Sequence, residues 1–227
     1  MIFIIKIETI DKNEALRYMG FKGTTPDEKM LFLINECERE LLKVINPRYT
    51  YKIFDIELHN NTVEVKGTNM KMDSSDIFKH LNGCEKSVFF AATISENADS
   101  LIRSAQISDM TKALIFDCLS NVAIEQVCDK IEEIIKADYP EYFQTWRFSP
   151  GYGDLSIETQ KDFIKVLDAT KKAGICLTDS FILTPKKSVT AIIGLSTKEI
   201  ERKNRGCQSC NMKDTCNFRK GGNHCGF

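Results

Sequence analysis

The sequence lacks the features that would direct it to a membrane or a nucleic acid. Its formal net charge is −1, so no overall field draws it to an anionic surface. The N-terminal apolar run, residues 1–5, ends at Lys6 and is too short for a signal-peptide core or a membrane span. We therefore expect a cytoplasmic protein, in which cysteines bind metals or pack in cores rather than form disulfides.

Two further absences narrow the fold. The sequence has no Gly-x-Gly-x-x-Gly element, so a Rossmann-type nucleotide site is unsupported. It has no internal repeat and no low-complexity linker in residues 1–195. Helical and extended patterns follow one another in irregular order, which predicts an α+β fold with antiparallel strands rather than a parallel, doubly wound sheet.

The first half of the chain carries clear local signals. Thr25-Pro26-Asp27-Glu28 has the pattern of a capping box, with Thr25 as the predicted N-cap of a helix. Extended runs at Tyr49–Leu58 and Thr62–Lys66 are separated by His59-Asn60-Asn61, which predicts a tight hairpin.

The longest predicted helix covers Ser108–Ala137. Asp117, Asn121 and Glu125 lie four residues apart in it and therefore share one face. This polar stripe is either a solvated face or a satisfied buried network.

Two predictions concern the segment that follows. An amphipathic pattern predicts a helix over Ser156–Lys172, with Gly174 as its C′ glycine. Thr178–Leu183 and Ser188–Leu195 are predicted to pair as a hairpin around Pro185.

One motif indicates a family. Arg147-Phe-Ser-Pro150-Gly151-Tyr152 is followed by the predicted helix and then by Leu177-Thr-Asp-Ser-Phe and Ser188-Val. These residues, in this order, resemble the activation domain of cobalamin-dependent methionine synthase. The resemblance covers roughly Asn82–Leu195 and implies a twisted antiparallel sheet flanked by helices. In that family the loop holds S-adenosylmethionine, whose methyl group restores an oxidised cobalamin.

The resemblance also implies a set of ligand-binding residues. The family's loop contacts carry over to Arg147, Pro150, Gly151 and Tyr152, and we include Gly153 beside them. Glu141 stands six residues before the arginine, where the family has an acidic residue, and is a candidate partner for the ligand's ammonium group. The family's ligand-facing helical acid falls at Asn121, so we expect further lining from the residues one turn away, Asp117 and Glu125. The match departs after Tyr152, because methionine synthases commonly continue Pro-Ala-Cys-Pro whereas this chain reads Gly153-Asp154-Leu155-Ser156.

The last part of the chain differs in character. We predict a domain boundary after Leu195, with residues 1–195 as the α+β domain and residues 196–227 as a cysteine-rich tail. Four closely spaced cysteines predict a metal site, either an iron–sulfur cluster or zinc. They are Cys207, Cys210, Cys216 and Cys225. The other five cysteines stand in apolar contexts and are predicted to be small core residues.

These features predict a free-standing activation protein. The resemblance implies binding of S-adenosylmethionine and reductive methylation of a cobalamin held by a separate corrinoid protein, or by a methionine synthase without its own activation domain. Reduction implies an electron donor such as a flavodoxin or ferredoxin. One alternative is a non-catalytic S-adenosylmethionine-binding regulatory module. Another is a nucleic-acid binder that uses the tail, against which the near-neutral charge argues.

Overall fold

The computed structural model describes residues 5–21 and 24–200 of the chain. Its helices are α1 (Lys12–Tyr18), α2 (Glu28–Val44), α3 (Ser75–His80), α4 (Glu96–Ser108), α5 (Met110–Asp138), α6 (Gln160–Leu167) and α7 (Ala169–Ala173). Its strands are β1 (Arg48–His59), β2 (Thr62–Val65), β3 (Lys71–Asp73), β4 (Lys86–Thr93), β5 (Phe143–Gln144), β6 (Cys176–Leu177), β7 (Leu183–Thr184) and β8 (Ser188–Ser196). No helix in this described part of the chain is both long enough and apolar enough to cross a membrane.

Most strands form one six-stranded sheet in the order β3-β2-β1-β4-β8-β5, in which every neighbouring pair is antiparallel. Strands β6 and β7 form a separate two-stranded ribbon. An antiparallel sheet flanked by helices confirms the predicted α+β class. Because β5 ends the order and Phe148 also bridges to Ile192 of β8, residues 143–148 form one outer edge of the sheet.

The two faces of the sheet are covered by different helices. On β4, Val88, Phe90 and Ala92 pack in a cluster with α2, α4 and α5, whereas Phe89 and Ala91 pack in a second cluster with α3, α6 and α7. Successive strand residues point to opposite sides, so residues 88–92 of β4 are all apolar because both sides of the strand are buried. Complete burial of Phe89 and Phe90 contributes about 2 kcal/mol each.

The predicted hairpin of β1 and β2 is confirmed. His59 pairs with Thr62, which leaves Asn60 and Asn61 as the two turn residues. Their φ values are 49° and 66°, and two successive positive φ values are those of a type I′ turn. Asparagine adopts this left-handed region more readily than most other residues.

The predicted cap of α2 is wrong by two residues. The carboxylate of Asp27, rather than the hydroxyl of Thr25, caps the helix by accepting a hydrogen bond of 2.8 Å from the backbone N–H of Met30. A charged aspartate at this position also interacts favourably with the helix dipole. The helix therefore begins at Glu28.

The predicted longest helix is confirmed as α5, which runs from Met110 to Asp138. Asp109 caps it by accepting hydrogen bonds from the backbone N–H groups of Thr111 and Lys112. Its first half is largely buried, so the polar residues Asp117 and Asn121 lie among buried apolar neighbours there.

The predicted helix over Ser156–Lys172 is interrupted. A 3₁₀ turn at Ile157–Thr159 precedes α6, and Asp168 then adopts a left-handed conformation, φ 54°, that separates α6 from α7. Gly174 is confirmed as the left-handed residue that ends α7, with φ 70°.

The predicted hairpin of Thr178–Leu183 with Ser188–Leu195 is wrong. Strand β7 pairs with β6, and β8 pairs with β4 and β5 instead. Residues Thr178–Ser180 are exposed, whereas most of β8 is buried. Pairing of β8 with the buried strand β4 removes more apolar surface from water than a local hairpin with exposed residues would.

The five cysteines in the described residues divide into two groups. Cys37, Cys84, Cys118 and Cys128 are buried, which confirms the prediction that they are core residues. Cys176 is exposed, because it lies on the outer β6–β7 ribbon, and the prediction is wrong for it.

Candidate functional site

Arg147 lies on the outer edge of the sheet and points toward α5. Its guanidinium forms ion pairs of 2.5 Å with Glu125 and 2.7 Å with Asp129, and a third with Glu132. These three acids are seven residues or fewer apart on one helix and therefore share a face. Burial alone would lower the pKa of Arg147, but the carboxylates of Glu132 and Glu125 outweigh burial and raise the pKa above its ordinary value. Arg147 is therefore a permanent cation, with its side chain only 13% exposed.

The described contacts leave part of the Arg147 guanidinium for a ligand. A guanidinium has five N–H groups. The Nη1 atom donates to Asp129 and Glu132, and Nη2 donates to Glu125. Those three bonds leave the Nε–H and one Nη2–H. One cation faces three carboxylates, so the surroundings of Arg147 carry a surplus of negative charge that favours a cationic partner.

The predicted polar stripe on α5 is a hydrogen-bonded network that is also partly solvated, since the side chains of Asp117 and Glu125 are 47% and 46% exposed. The ammonium group of Lys187 donates to Asp117 Oδ1 at 2.6 Å and to Asn121 Oδ1 at 2.8 Å. The Lys187 side chain is 11% exposed, so its charge needs these partners. Glu125 continues the stripe and links this network to Arg147.

A small open cavity adjoins this network. It has a volume of about 240 Å³ and lies between α1, α5 and the turn before β8. Its lining includes Tyr18, Asn121, Glu125, Lys186 and Lys187. Burial and the charge of Glu125 raise the pKa of Tyr18, and both residues line this cavity.

The predicted loop packs on the opposite face of the edge. Pro150 is buried, whereas the side chain of Tyr152 is 67% exposed and its ring lies against Phe148, with ring centroids 6.4 Å apart. Gly151 has φ 90° and donates a 2.8 Å hydrogen bond to the carbonyl of Leu155. The loop is therefore a closed turn that presents Tyr152 outward.

Gly153 and Asp154, where the family resemblance departs, fix this loop to α3. The Asp154 carboxylate accepts hydrogen bonds from Ser74, Ser75 and Asp76 at the start of that helix. Burial opposes ionisation here, but these hydrogen bonds lower the pKa of Asp154 well below its usual range. Gly153 has φ 56°, and a Cβ atom there would lie 2.2 Å from Asp76 Oδ2.

The predicted site residues thus fall into separate groups. Arg147, Asp117, Asn121 and Glu125 meet on the α5 side. The loop residues Pro150, Gly151 and Tyr152 lie on the α3 side of the edge. Trp146 and Phe148 pack on that side, and they alternate with Arg147, which points the other way. A ligand that touches both groups must lie along the outer edge of the sheet. Glu141 is exposed, and none of the described contacts joins it to Arg147.

Three important residues were missing from the sequence prediction. Asp129 and Glu132 bind Arg147, and Lys187 organises the stripe. Asp129 continues the four-residue spacing of Asp117, Asn121 and Glu125, so helical periodicity could have found it. Nothing local in the sequence indicates that Lys187 contacts α5, since Lys187 and its partner Asn121 are 66 residues apart.

Comparison with known families decides the assignment. The sequence model of the family described as "Vitamin B12 dependent methionine synthase, activation domain" matches residues 88–202. The chain belongs to this activation domain family. The resemblance carried by the Arg147 loop is thereby confirmed.

A solved structure supports the same fold over a longer region. It is described as "Crystal Structure of the MetH Reactivation Domain bound to AdoHcy". The match has a TM-score of 0.68 and 18% sequence identity, and it covers 88% of this chain and 79% of that chain. No curated protein sequence matches the chain.

The candidate site lies within the residues of the family match. The match spans β4 to β8 and therefore includes Arg147, the α5 acids and Lys187. Helices α1, α2 and α3 precede the matched residues. The helix that binds Asp154 is thus contributed by a part of the chain outside the family match.

The predicted metal ligands belong to the cysteine-rich tail. Cys207, Cys210, Cys216 and Cys225 lie outside the described residues. Within residues 5–21 and 24–200, no group of three or more histidine, cysteine or acidic side chains is arranged to hold a metal ion.

Proposed function

We propose that this protein binds S-adenosylmethionine along the outer edge of the sheet and supports reductive methylation of a cobalamin held by a separate protein. The observation that carries the proposal is the position of Arg147. It is a permanently charged side chain on that edge, it pairs with Glu125, which lines the cavity, and it lies within the family match. The related reactivation domain was crystallised with AdoHcy, the demethylated form of the same ligand.

Each part of the ligand has a complementary group in this arrangement. The carboxylate of S-adenosylmethionine can accept from the Nε–H and the remaining Nη2–H of Arg147, in the two-pronged geometry that arginine favours. The ammonium and sulfonium groups are cations, and the α5 carboxylates Glu125 and Asp129 are partly exposed beside them. The exposed ring of Tyr152 offers an aromatic face. Contacts with Pro150, Gly151, Gly153 and Glu141 stay predictions.

The proposed chemistry requires this chain mainly to position the methyl donor. The S–CH₃ bond breaks and a Co–CH₃ bond forms, both electrons of the new bond coming from cobalt(I), and S-adenosylhomocysteine leaves. Cobalt(II) must first take one electron, which we assign to a separate donor such as a flavodoxin or ferredoxin. The protein holds the methyl group in line with cobalt, which is a catalytic contribution by orientation.

Calorimetric titration of the anaerobic full-length protein with S-adenosylmethionine tests the ligand. We expect saturable binding that Arg147→Lys weakens at least about tenfold, because lysine keeps the charge but loses the fork. Arg39→Lys is the matched control, since Arg39 is exposed on α2. No binding by the wild type, or equal binding by Arg147→Lys, would refute the proposed site.

A second assay separates methyl transfer from mere sensing. The protein is mixed with a cobalamin-loaded partner, a reductant and S-adenosylmethionine, and methylcobalamin is followed by its absorption. Methylcobalamin that depends on Arg147 supports an activation protein. Binding without methylcobalamin would favour the alternative of a regulatory module.

We extend the proposal to the tail, in which Cys207, Cys210, Cys216 and Cys225 would hold an iron–sulfur cluster or zinc. The predicted boundary after Leu195 stays a prediction. Strand β8 itself runs to Ser196, and Thr197 donates two hydrogen bonds to the Glu85 carboxylate. Ile200 still packs against the second core cluster.

A further inference from the structure

Helix α3 contacts the Arg147 loop at both of its ends. The N-terminus of α3 binds Asp154, which follows the loop, and His80 at the other end of α3 contacts Thr145, which precedes it. A helix of six residues therefore spans the whole segment from Thr145 to Asp154.

The contact at Asp154 is dense. Its Oδ2 accepts from the backbone N–H and the hydroxyl of Ser75 at 2.9 and 2.8 Å, and its Oδ1 accepts from the hydroxyl of Ser74 and from the N–H of Asp76. The backbone N–H of Asp154 donates in return to the Asp76 carboxylate at 3.2 Å. Reciprocal bonds of this kind hold the loop end and the helix start in one fixed relation.

A side chain at Gly153 would force the Asp76 carboxylate to move. A Cβ atom would lie 2.2 Å from Asp76 Oδ2 and 3.2 Å from Asp76 Cβ. The positive φ of 56° also disfavours any other residue. Glycine here lets the loop backbone lie directly on α3.

The contact at the other end involves aromatic rings. The Thr145 hydroxyl and His80 Nε2 are 2.9 Å apart, and the His80 ring lies 4.4 Å from the Trp146 ring and 5.2 Å from the Phe148 ring. The Thr145 hydroxyl also accepts from the backbone N–H of Gly194 on β8. The edge segment that carries Arg147 is thus fixed between α3 and the sheet.

We propose that α3 is a brace that fixes the Arg147–Tyr152 loop before any ligand arrives, and that Asp154 is its positioning residue. The role of α3 in ligand binding rests on the proposed function. The brace gives a structural role to Gly153 and Asp154, which stand where the sequence departs from the family pattern. It also gives a role to α3, which lies outside the family match. A loop ordered in advance saves the ligand the entropic cost of ordering it.

Two measurements on full-length Asp154→Ala test the brace. Hydrogen exchange in the absence of ligand should speed up about tenfold or more at the amides of residues 149–155, because the loop loses its anchor. The dissociation constant of S-adenosylmethionine should rise about tenfold, since the ligand must then order the loop. Ser75→Ala, which removes one hydroxyl donor, should give smaller changes in the same directions. Glu28→Gln, at an exposed position on α2 outside the family motif, should change neither quantity.

The outcomes separate this inference from the proposed function. Unchanged exchange in Asp154→Ala would overturn the brace, and faster exchange with an unchanged dissociation constant would overturn its positioning role. Failure of the wild type to bind would refute the proposed function, whereas exchange would still decide the brace. If Asp154→Ala does not fold, as judged by its thermal transition, Ser75→Ala carries both measurements.

Discussion

Arg147 stabilises the fold as well as the site, because it separates three carboxylates of α5. Replacement by methionine keeps the bulk but leaves Glu125, Asp129 and Glu132 without their cation. Loss of one partner from a buried ion pair costs about 3–5 kcal/mol. The acids are partly exposed and solvent screens them, so we expect Arg147→Met to lower the free energy of unfolding by about 1–3 kcal/mol.

A double-variant cycle in urea denaturation checks this prediction. Glu132→Gln removes the least exposed of the three carboxylates, 27% exposed, so it should recover part of the stability lost in Arg147→Met. The coupling energy of the pair should be at least about 0.5 kcal/mol. Simple additivity would show that Arg147 and Glu132 do not interact in solution.

The cysteines of the described residues should differ sharply in reactivity. Burial raises the pKa of Cys37 to about 11 and of Cys84 to about 12, and only the thiolate reacts with alkylating reagents. Cys176 is exposed. Brief treatment of the native protein with iodoacetamide, followed by peptide mass mapping, should label Cys176 before Cys37, Cys84, Cys118 and Cys128.

Denaturant supplies the control for this labelling. All five cysteines should react in urea, because unfolding restores ordinary thiol pKa values. Early labelling of Cys37 or Cys84 in the native protein would mean that one of the two core clusters opens readily.

At the level of elements, the bond between Asp154 and α3 should make stability depend on pH. The pKa of Asp154 is lowered in the fold, so its contribution is present above the unfolded pKa of about 3.9. The contribution is lost as pH falls through the lower, folded pKa. Asp154→Asn should therefore be less stable than the wild type at pH 6, and the difference should shrink as the pH falls below about 4.

Urea unfolding of both proteins between pH 3 and pH 7 measures this difference. Asp179→Asn is the matched control, because it removes a carboxylate that is exposed. A wild-type advantage that is the same at every pH would show that the carboxylate of Asp154 is not the stabilising group.

The elements also show what the sequence could predict and what it could not. The β1–β2 hairpin and α5 follow from local patterns, because turn residues and helical periodicity act over a few residues. The partner of β8 does not, since Phe90 and Ala191 pair across a hundred residues of chain. An apolar run indicates a buried strand but says nothing about which strand lies beside it.

The candidate site divides in the same way. Arg147 and the loop could be found because the family repeats these residue types in a fixed order. The stripe on α5 could be found from its four-residue spacing. Its partner Lys187, and the support of Asp154 by α3, depend on pairings between distant segments. Those pairings are products of the three-dimensional fold and leave no local pattern.

At the scale of the whole molecule, charge is unevenly divided between the described domain and the tail. From Lys198 onward the sequence has seven basic and three acidic residues, although the net charge of the chain is −1. Four thiolates around Zn²⁺ or a [4Fe–4S]²⁺ cluster leave a net charge of about −2, which the basic residues would offset. The positive charge of the tail is therefore compatible with the proposed thiolate metal site.

Metal analysis of the full-length protein tests the proposed thiolate site in the tail. Protein purified without oxygen should contain zinc or iron, and Cys207→Ser with Cys216→Ser should remove most of it, because each substitution deletes a thiolate ligand. Visible absorption that is lost with the metal would identify an iron–sulfur cluster, whereas a colourless zinc protein would indicate a structural clip. Cys176→Ser should keep the metal, since Cys176 lies on the β6–β7 ribbon. Wild-type protein without bound metal would contradict the proposed tail site and leave Arg147 as the main functional candidate.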